Sequence, residues 1–238
     1  MKYLKIVFSA FLLLLFFILW YHLNRNYFPK LEAMGMNGIT YLISEKAGYN
    51  NIMSHGSIYT FLFLVYLFQF VPRMNVSILI RRARKGYLLQ IYKKVFQAAV
   101  LYSIIFSGVM TIGILLCLKY EFIIASRFFI GIMLFLLVQI LYYTFIGSVF
   151  VLFQTVLSAG SKAMVPASVV SVFFVCLTAQ KGIWTPVANL IIFDKLFENT
   201  LHVQNVLINA IKVAFLVFVL FFISLTIFKE KDIVNEKS

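Results

Sequence analysis

Acidic residues are scarce in this 238-residue chain, which carries 8 Asp and Glu residues against 21 Lys and Arg residues. Only 12% of the residues are charged and 63% are hydrophobic, whereas soluble domains are about 25% charged and about 45–50% apolar. So little polar surface cannot cover a water-facing globule, and the composition predicts an integral membrane protein. The net charge of +13 does not indicate nucleic-acid binding, because no basic domain lies outside the apolar segments.

Motifs that carry chemistry are also missing. The sequence has no GxSG or HExxH motif, so it matches neither of these two protease patterns. It also has no P-loop GxxxxGK[ST] motif, so it does not hydrolyse ATP by the P-loop route. The predicted membrane spans contain no Asp or Glu, and buried carboxylates are typical of proton-driven transporters. These absences argue against a membrane enzyme and indicate that energy for any transport comes from a partner.

Histidine and cysteine do not form a metal-binding pattern. His22, His55 and His202 are predicted to lie in different loops on the outer side, without ligand spacing in any one of them. Cys117 and Cys176 fall in apolar runs without a CxxC motif, so we expect both to be small buried hydrophobic residues.

Long apolar runs predict an all-α fold, because a helix needs about 20 mostly apolar residues to cross a bilayer. The whole chain, residues 1–238, is expected to form one transmembrane domain. The abundant aromatic residues of the spans, among 27 Phe and 13 Tyr in the chain, are expected mostly to face lipid. Six spans are predicted, at residues 6–23, 57–71, 95–118, 128–157, 163–179 and 206–228.

The distribution of Lys and Arg predicts the orientation. With the N-terminus inside, 13 of these residues fall in inner segments and 7 in outer loops, and Lys212 lies near the outer end of the sixth span. The positive-inside rule therefore predicts a multi-pass cell-membrane protein with both termini in the cytoplasm.

The densest basic stretch is "NVSILIRRARKGYLLQIYKKVF", at residues 75–96. Leu88, Ile91, Tyr92 and Val95 recur at helical spacing, which predicts an amphipathic helix separated by Gly86 from the arginine cluster. Such a helix either lies at the membrane interface and binds anionic lipid or docks a cytoplasmic partner.

The stretch "GIWTPVANLIIFDKLFENTLH", at residues 182–202, is too short in its apolar part to span a membrane. Thr185 followed by Pro186 is a typical helix start. We expect a re-entrant hairpin on the outer side, with Trp184 at headgroup level and a turn near residues 198–200. If the helix continues far enough, Asp194, Glu198 and His202 form one polar stripe, which is either a solvated face or a site for a cationic peptide or ion.

Six spans with both ends inside, a basic segment between the second and third, the short inner turn "LSAGSKAMVP" and an outer helical hairpin form a recognisable layout. This layout resembles the ABC-2-type membrane subunits of ATP-driven exporters. It is most similar to the small bacterial permeases of bacteriocin or peptide-toxin export and self-immunity systems.

The resemblance implies a coupling helix at residues 76–94 that docks a separate cytoplasmic ABC ATPase, the subunit that would hold ATP and magnesium. The coupling residues would be Arg81, Arg82, Arg84, Lys85, Tyr87, Leu88, Ile91 and Tyr92. The outer hairpin would map to residues 183–205, with Trp184, Pro186, Asp194 and Glu198 as an outer gate. The chain itself would be no enzyme and would hold no cofactor, and two permeases, identical or paralogous, would assemble in membrane lipid.

The expected function is therefore the export of hydrophobic or amphipathic peptides. Two alternatives stay open. One is a membrane immunity protein that binds and neutralises a peptide without ATP, and the other is a membrane enzyme whose site is not evident in the sequence.

Overall fold

The chain folds into a bundle of helices. The computed structural model describes residues 2–31, 36–44, 48–71, 84–157, 160–178, 180 and 183–230. Within these ranges nearly all residues are helical and none forms a strand, and five helices are long and apolar enough to cross a membrane. The protein is therefore a polytopic helical membrane protein, as the composition predicted.

The helices in chain order are α1 (Lys2–Asn24), α2 (Met36–Ile43), α3 (Ile52–Phe68), α4 (Arg84–Cys117), α5 (Tyr120–Ala125), α6 (Phe128–Leu157), α7 (Gly160–Thr178), α8 (Phe193–Phe197) and α9 (Val203–Glu230). Short 3₁₀ turns at Phe28–Lys30 and Val187–Leu190 accompany them. The predicted span at 128–157 has the bounds of α6, and the predicted spans at 6–23, 163–179 and 206–228 lie within a few residues of α1, α7 and α9.

The predicted second span corresponds to α3, which begins five residues earlier than residue 57. This helix is shorter than the five that can span a membrane by length and composition. It packs against α4, α6 and α7, and Phe63, Leu64, Tyr66 and Leu67 are fully buried. The total of six spans therefore stays a prediction, because the second predicted span is α3, a largely enclosed helix of the bundle.

The prediction of a break at Gly86 is wrong. Helix α4 starts at Arg84 and continues without interruption through Gly86 to Cys117, so the basic amphipathic segment and the predicted third span are one helix of 34 residues. Glycine within a helix costs only about 1 kcal/mol relative to alanine, which the packing of the following turns offsets.

The core is built from aromatic side chains. Phe16 of α1 meets the rings of Tyr59, Tyr102 and Phe106 at 5.3–5.9 Å between centroids, each edge to face. Tyr49 stacks on Phe106 at 4.4 Å. The expectation that most aromatic residues of the spans face lipid is wrong for tyrosine, because the largest fully buried side chains include Tyr49, Tyr59, Tyr66, Tyr102, Tyr142 and Tyr143.

Cysteine burial differs from the expectation. Cys117 is partly buried and Cys176 is exposed on α7, and neither forms a disulfide. An exposed thiol within an apolar helix behaves as one more hydrophobic group on a surface that a membrane would cover.

The contact between α1 and α4 provides a test of the packing. A methyl group added at Gly113 would overlap the ring of Trp20, whereas one added at Gly108 on the same helix has nothing within 4 Å. We expect Gly113→Ala to lower the free energy of unfolding by about 1–3 kcal/mol because of overpacking. The matched control Gly108→Ala should leave it unchanged or raise it by up to about 1 kcal/mol, because alanine is the better helix former.

Unfolding of the purified protein in mixed detergent micelles, followed by circular dichroism, measures both variants. Equal stability of the two variants would contradict the close approach of α1 and α4 at this glycine.

Candidate functional site

The N-terminal turns of α4 carry six of the eight predicted coupling residues. Tyr87, Leu88 and Ile91 are at most 2% exposed. The Tyr87 ring stacks on Phe228 at 6.1 Å, and the Tyr92 ring meets Phe221 edge to face at 5.0 Å. The predicted apolar face is therefore present and packs within the chain, with Tyr87 and Tyr92 on α9 and Val95 against Gly147 of α6.

The polar side of these turns stays open. Lys85 and Lys93 are exposed, and Lys94 donates a hydrogen bond from Nζ to Gln97 Oε1 at 3.1 Å. Arg81 and Arg82 lie outside the described residues, and α4 begins at Arg84. Of the predicted coupling residues whose side chains are described, Lys85 is exposed and Tyr92 is half-buried, while Tyr87, Leu88 and Ile91 are buried within the chain. The docking role stays a prediction.

The interior holds a group of hydrogen-bonded polar side chains that sequence reasoning missed. We call it the buried polar cluster: Asn50, His55, Thr60, Tyr142, Tyr143 and Ser171. Each of these residues is at most 1% exposed. The only signal in the sequence is a set of hydrogen-bonding residues, Asn50, His55, Tyr59 and Thr60, at the start of an otherwise apolar stretch.

The hydrogen bonds of His55 fix its tautomer. Asn50 donates from Nδ2 to the carbonyl of Ile43 at 3.2 Å, so its Oδ1 is the atom that faces His55 Nε2, at 3.1 Å. That oxygen can only accept, and Nε2 must therefore carry a proton. In the neutral ring, Nδ1 then accepts from the hydroxyl of Tyr143 at 3.1 Å. Both ring nitrogens are engaged, which favours a fixed structural role over a catalytic one.

A turn of π-helix at His55–Tyr59 explains why the other members are needed. Such a turn shifts the backbone hydrogen bonds by one residue, so that the Thr60 N–H donates to the carbonyl of His55, and hydroxyl groups add further bonds to the carbonyls of the turn. Thr60 donates from its hydroxyl to the carbonyl of His55, and Ser171 of α7 donates to the carbonyl of Gly56, each at 2.7 Å. The Tyr142 hydroxyl lies 2.7 Å from Ser171 Oγ and 3.1 Å from Thr60 Oγ1.

Gly56 allows this arrangement, because a methyl group added there would overlap Val175 of α7. The two helices therefore approach closely at the π-turn.

Tyr49, just before α3, donates to the carbonyl of Phe106 at 3.5 Å, and burial raises the pKa of its phenol well above the usual value, so that it stays a neutral donor.

The predicted outer-loop position is wrong for His55. His55 is buried in the core rather than in an outer loop, while His22 and His202 are exposed. Among the described residues, no group of three or more His, Cys, Asp or Glu side chains could hold a metal ion.

The opposite end of the bundle contains the predicted outer hairpin. Thr185 accepts a hydrogen bond at Oγ1 from the N–H of Ala188 at 3.3 Å, so Thr185 and Pro186 do start a helical turn. This turn is the short 3₁₀ segment Val187–Leu190, followed by α8, rather than one continuous helix. The Phe193 ring packs on Gly131 and on Phe128 of α6, with 5.9 Å between the ring centroids of the two phenylalanines.

The predicted polar stripe does not form. Helix α8 ends at Phe197 and the chain turns at Asn199, which has a φ of 53°, so Asp194, Glu198 and His202 do not share one helix. Asp194 is only 7% exposed, whereas Glu198 and His202 are exposed. The expectation that Asp194 presents an open carboxylate to water is therefore wrong.

Trp184 donates from Nε1 to Asn189 Oδ1 at 3.2 Å.

Comparison of the chain with protein-family models, with curated proteins and with solved structures finds no match.

Two serines of α7 provide a test of the buried polar cluster. Ser171→Ala removes the donor to Gly56 and a contact of Thr60 and Tyr142, so we expect a loss of about 1–2 kcal/mol in the free energy of unfolding. The matched control Ser168→Ala removes only a bond to the carbonyl of Met164 one turn earlier. Unfolding in mixed micelles should show a clearly larger loss for Ser171→Ala, and equal losses would contradict the assigned role.

Proposed function

We propose that this chain is the membrane-spanning permease subunit of an ATP-driven exporter of hydrophobic or amphipathic peptides. A separate cytoplasmic ATPase supplies ATP hydrolysis with magnesium, and a second permease copy or a paralogue completes the pathway. Both termini and the basic start of α4 face the cytoplasm.

The observation that carries this proposal is the continuity of α4. A helix of 34 residues is about 50 Å long, and the hydrocarbon core of a bilayer is about 30 Å thick. One rigid element therefore joins the exposed cations at Lys85 and Lys93 to the core, where α4 packs on α1, α3, α6 and α9. A force applied by a partner at the basic end would reach the other helices without a hinge.

The filled core favours a peptide pathway that runs between two permease copies rather than through one of them. The interior of the bundle is occupied by aromatic rings and by the buried polar cluster. A peptide would therefore move along a surface between permeases, and the outer hairpin with Trp184, Pro186, Asp194 and Glu198 would form the gate at its outer end.

The same filled core also suits the alternative, an immunity protein that binds and neutralises a peptide on its surface without ATP. The two functions differ in the ATPase, which only the exporter requires. Purification of the chain from native membranes in mild detergent, followed by measurement of ATP turnover in the purified material, separates them.

The orientation can be tested with single cysteines in a background without Cys117 and Cys176. Ser161 lies at the basic end and Gln204 at the opposite end, and both are exposed. In intact cells, Gln204→Cys should react with an impermeant thiol reagent and Ser161→Cys should not. Asn189 is a poor labelling position because it is only 6% exposed. Labelling of Ser161→Cys from outside would overturn the assigned orientation.

The docking role of α4 can be tested by charge reversal. Lys85→Glu with Lys93→Glu should reduce co-purified ATPase activity at least tenfold, because each reversal replaces an attraction by a repulsion of about 1 kcal/mol or more. The control Lys162→Glu reverses an exposed charge on α7 near the same end. It should leave the activity within about twofold, the range expected for a charge outside the interface.

The double variant should remain folded, since both lysines are exposed. Full ATP turnover in a stable complex of the double variant would sink the docking role.

A further inference from the structure

A crevice of about 210 Å³ opens beside the start of α9. Ten residues line it, of which Ile191, Ile192, Leu201 and Val206 are apolar. The polar lining residues are Asn189, Lys195, Thr200, His202, Asn205 and Asn209. This α8–α9 crevice is thus lined by both polar and apolar residues.

The polar lining residues offer one cation and several amide donors. Lys195 carries a positive charge, and none of the lining residues carries a carboxylate. Asn189 lines the crevice at only 6% exposure, and its Oδ1 is used by the Trp184 indole. Its Nδ2 is buried and has no hydrogen-bond partner among the described residues. A buried amide donor without a partner favours a ligand that brings an acceptor oxygen.

The size of the crevice limits the ligand. Pockets for drug-sized molecules are about 300–1,000 Å³, so a space of about 210 Å³ fits a headgroup rather than a folded peptide. A cationic peptide does not match the lining, because Lys195 would repel its amines.

The surface next to the crevice suits a lipid. On α9, Leu207, Ile208 and Ile211 are exposed and apolar, so the helix that borders the crevice also presents a surface that lipid would cover. Asn205, Asn209 and Lys212 are spaced i, i+4 and i+7 on another face. Lys212 Nζ lies 5.4 Å from the centre of the Trp184 ring, a cation and an aromatic residue of the kinds found at headgroup level.

We propose that the α8–α9 crevice binds the phosphate of an anionic lipid, with Lys195 and the amides of Asn189 and Asn205 on the phosphate and the acyl chains along the exposed apolar side of α9. This site is independent of the proposed export function, because it rests on the crevice and the neighbouring surface of α9 and not on an ATPase.

The first test removes one charge. Lys195→Gln and the control Lys119→Gln each remove one cation at the same end of the bundle, and Lys119 does not line the crevice. The purified full-length chain is titrated with dihexanoyl-phosphatidylglycerol, and adducts are counted by native mass spectrometry. Lys195→Gln should weaken binding about fivefold, the effect of one basic residue on an anionic lipid. Equal affinities of the two variants would overturn the proposal.

A second variant separates binding from folding. Asn205 is the third residue of α9 and is exposed, where an aspartate stabilises a helix through its dipole. Asn205→Asp should therefore leave the thermal unfolding temperature unchanged or raised while it weakens phosphatidylglycerol binding more than Lys195→Gln does, because a carboxylate repels phosphate. Unchanged binding in a stable Asn205→Asp variant would also overturn the proposal.

The probe identifies the source of the phosphate. We expect dihexanoyl-phosphatidylglycerol to bind more tightly than dihexanoyl-phosphatidylcholine and to resist displacement by inorganic phosphate. Displacement by inorganic phosphate at an equal concentration would assign the crevice to a soluble anion and overturn the lipid proposal. Equal binding of the two lipids would show that the negative charge is not recognised, and this result would also overturn the proposal.

Discussion

The structure depends on the requirement that every polar group inside a hydrocarbon-embedded bundle finds a partner within the protein. The π-turn of α3 is a place where this requirement matters, because its backbone hydrogen bonds are shifted by one residue within the core. Hydroxyl groups from Thr60 and from Ser171 on α7 donate to the carbonyls of His55 and Gly56, and Tyr142 links these two hydroxyls. A short, enclosed helix is thereby fixed to its neighbours through hydrogen bonds that no single helix could supply, which explains how α3 holds its place despite its length.

The same requirement explains why tyrosine rather than phenylalanine fills so much of the interior. A tyrosine ring adds apolar area like phenylalanine, and its hydroxyl can end a hydrogen-bond chain. Tyr59 and Tyr102 each donate to a backbone carbonyl, at 2.8 and 2.6 Å. Among the described residues, these rings and other apolar side chains fill the core and leave no space for a peptide. Recognition of other molecules is therefore left to the ends of the bundle and to the surfaces of the long helices, where the charged side chains lie.

Sequence patterns predicted the long helices well, because twenty consecutive apolar residues have few alternatives to a spanning helix. Helix α6 has its predicted bounds, whereas α4 starts well before residue 95 since the tertiary contact of Tyr87 with Phe228 extends it through Gly86. The buried polar cluster was not predictable by the same means. His55 and its partner Tyr143 are 88 residues apart, and a periodicity within one segment contains no information about such a contact. Outside the apolar runs, the 3₁₀ turn Val187–Leu190 and the short helix α8 replace the continuous helix expected after Pro186.

The face of α4 that carries Leu88, Ile91 and Tyr92 shows what amphipathic periodicity can and cannot establish. It identified the side of the helix that is covered, but lipid, a partner protein and another helix of the chain all produce the same pattern. The choice among them depends on what lies opposite, and here α9 places Phe221 and Ser224 against Tyr92. The exposed lysines on the other side of α4 are not used in this packing. A role for the basic end in binding must therefore rest on charge, which is why reversal of Lys85 and Lys93 tests function without disturbing the helix pair, whereas truncation of Tyr92 would change both.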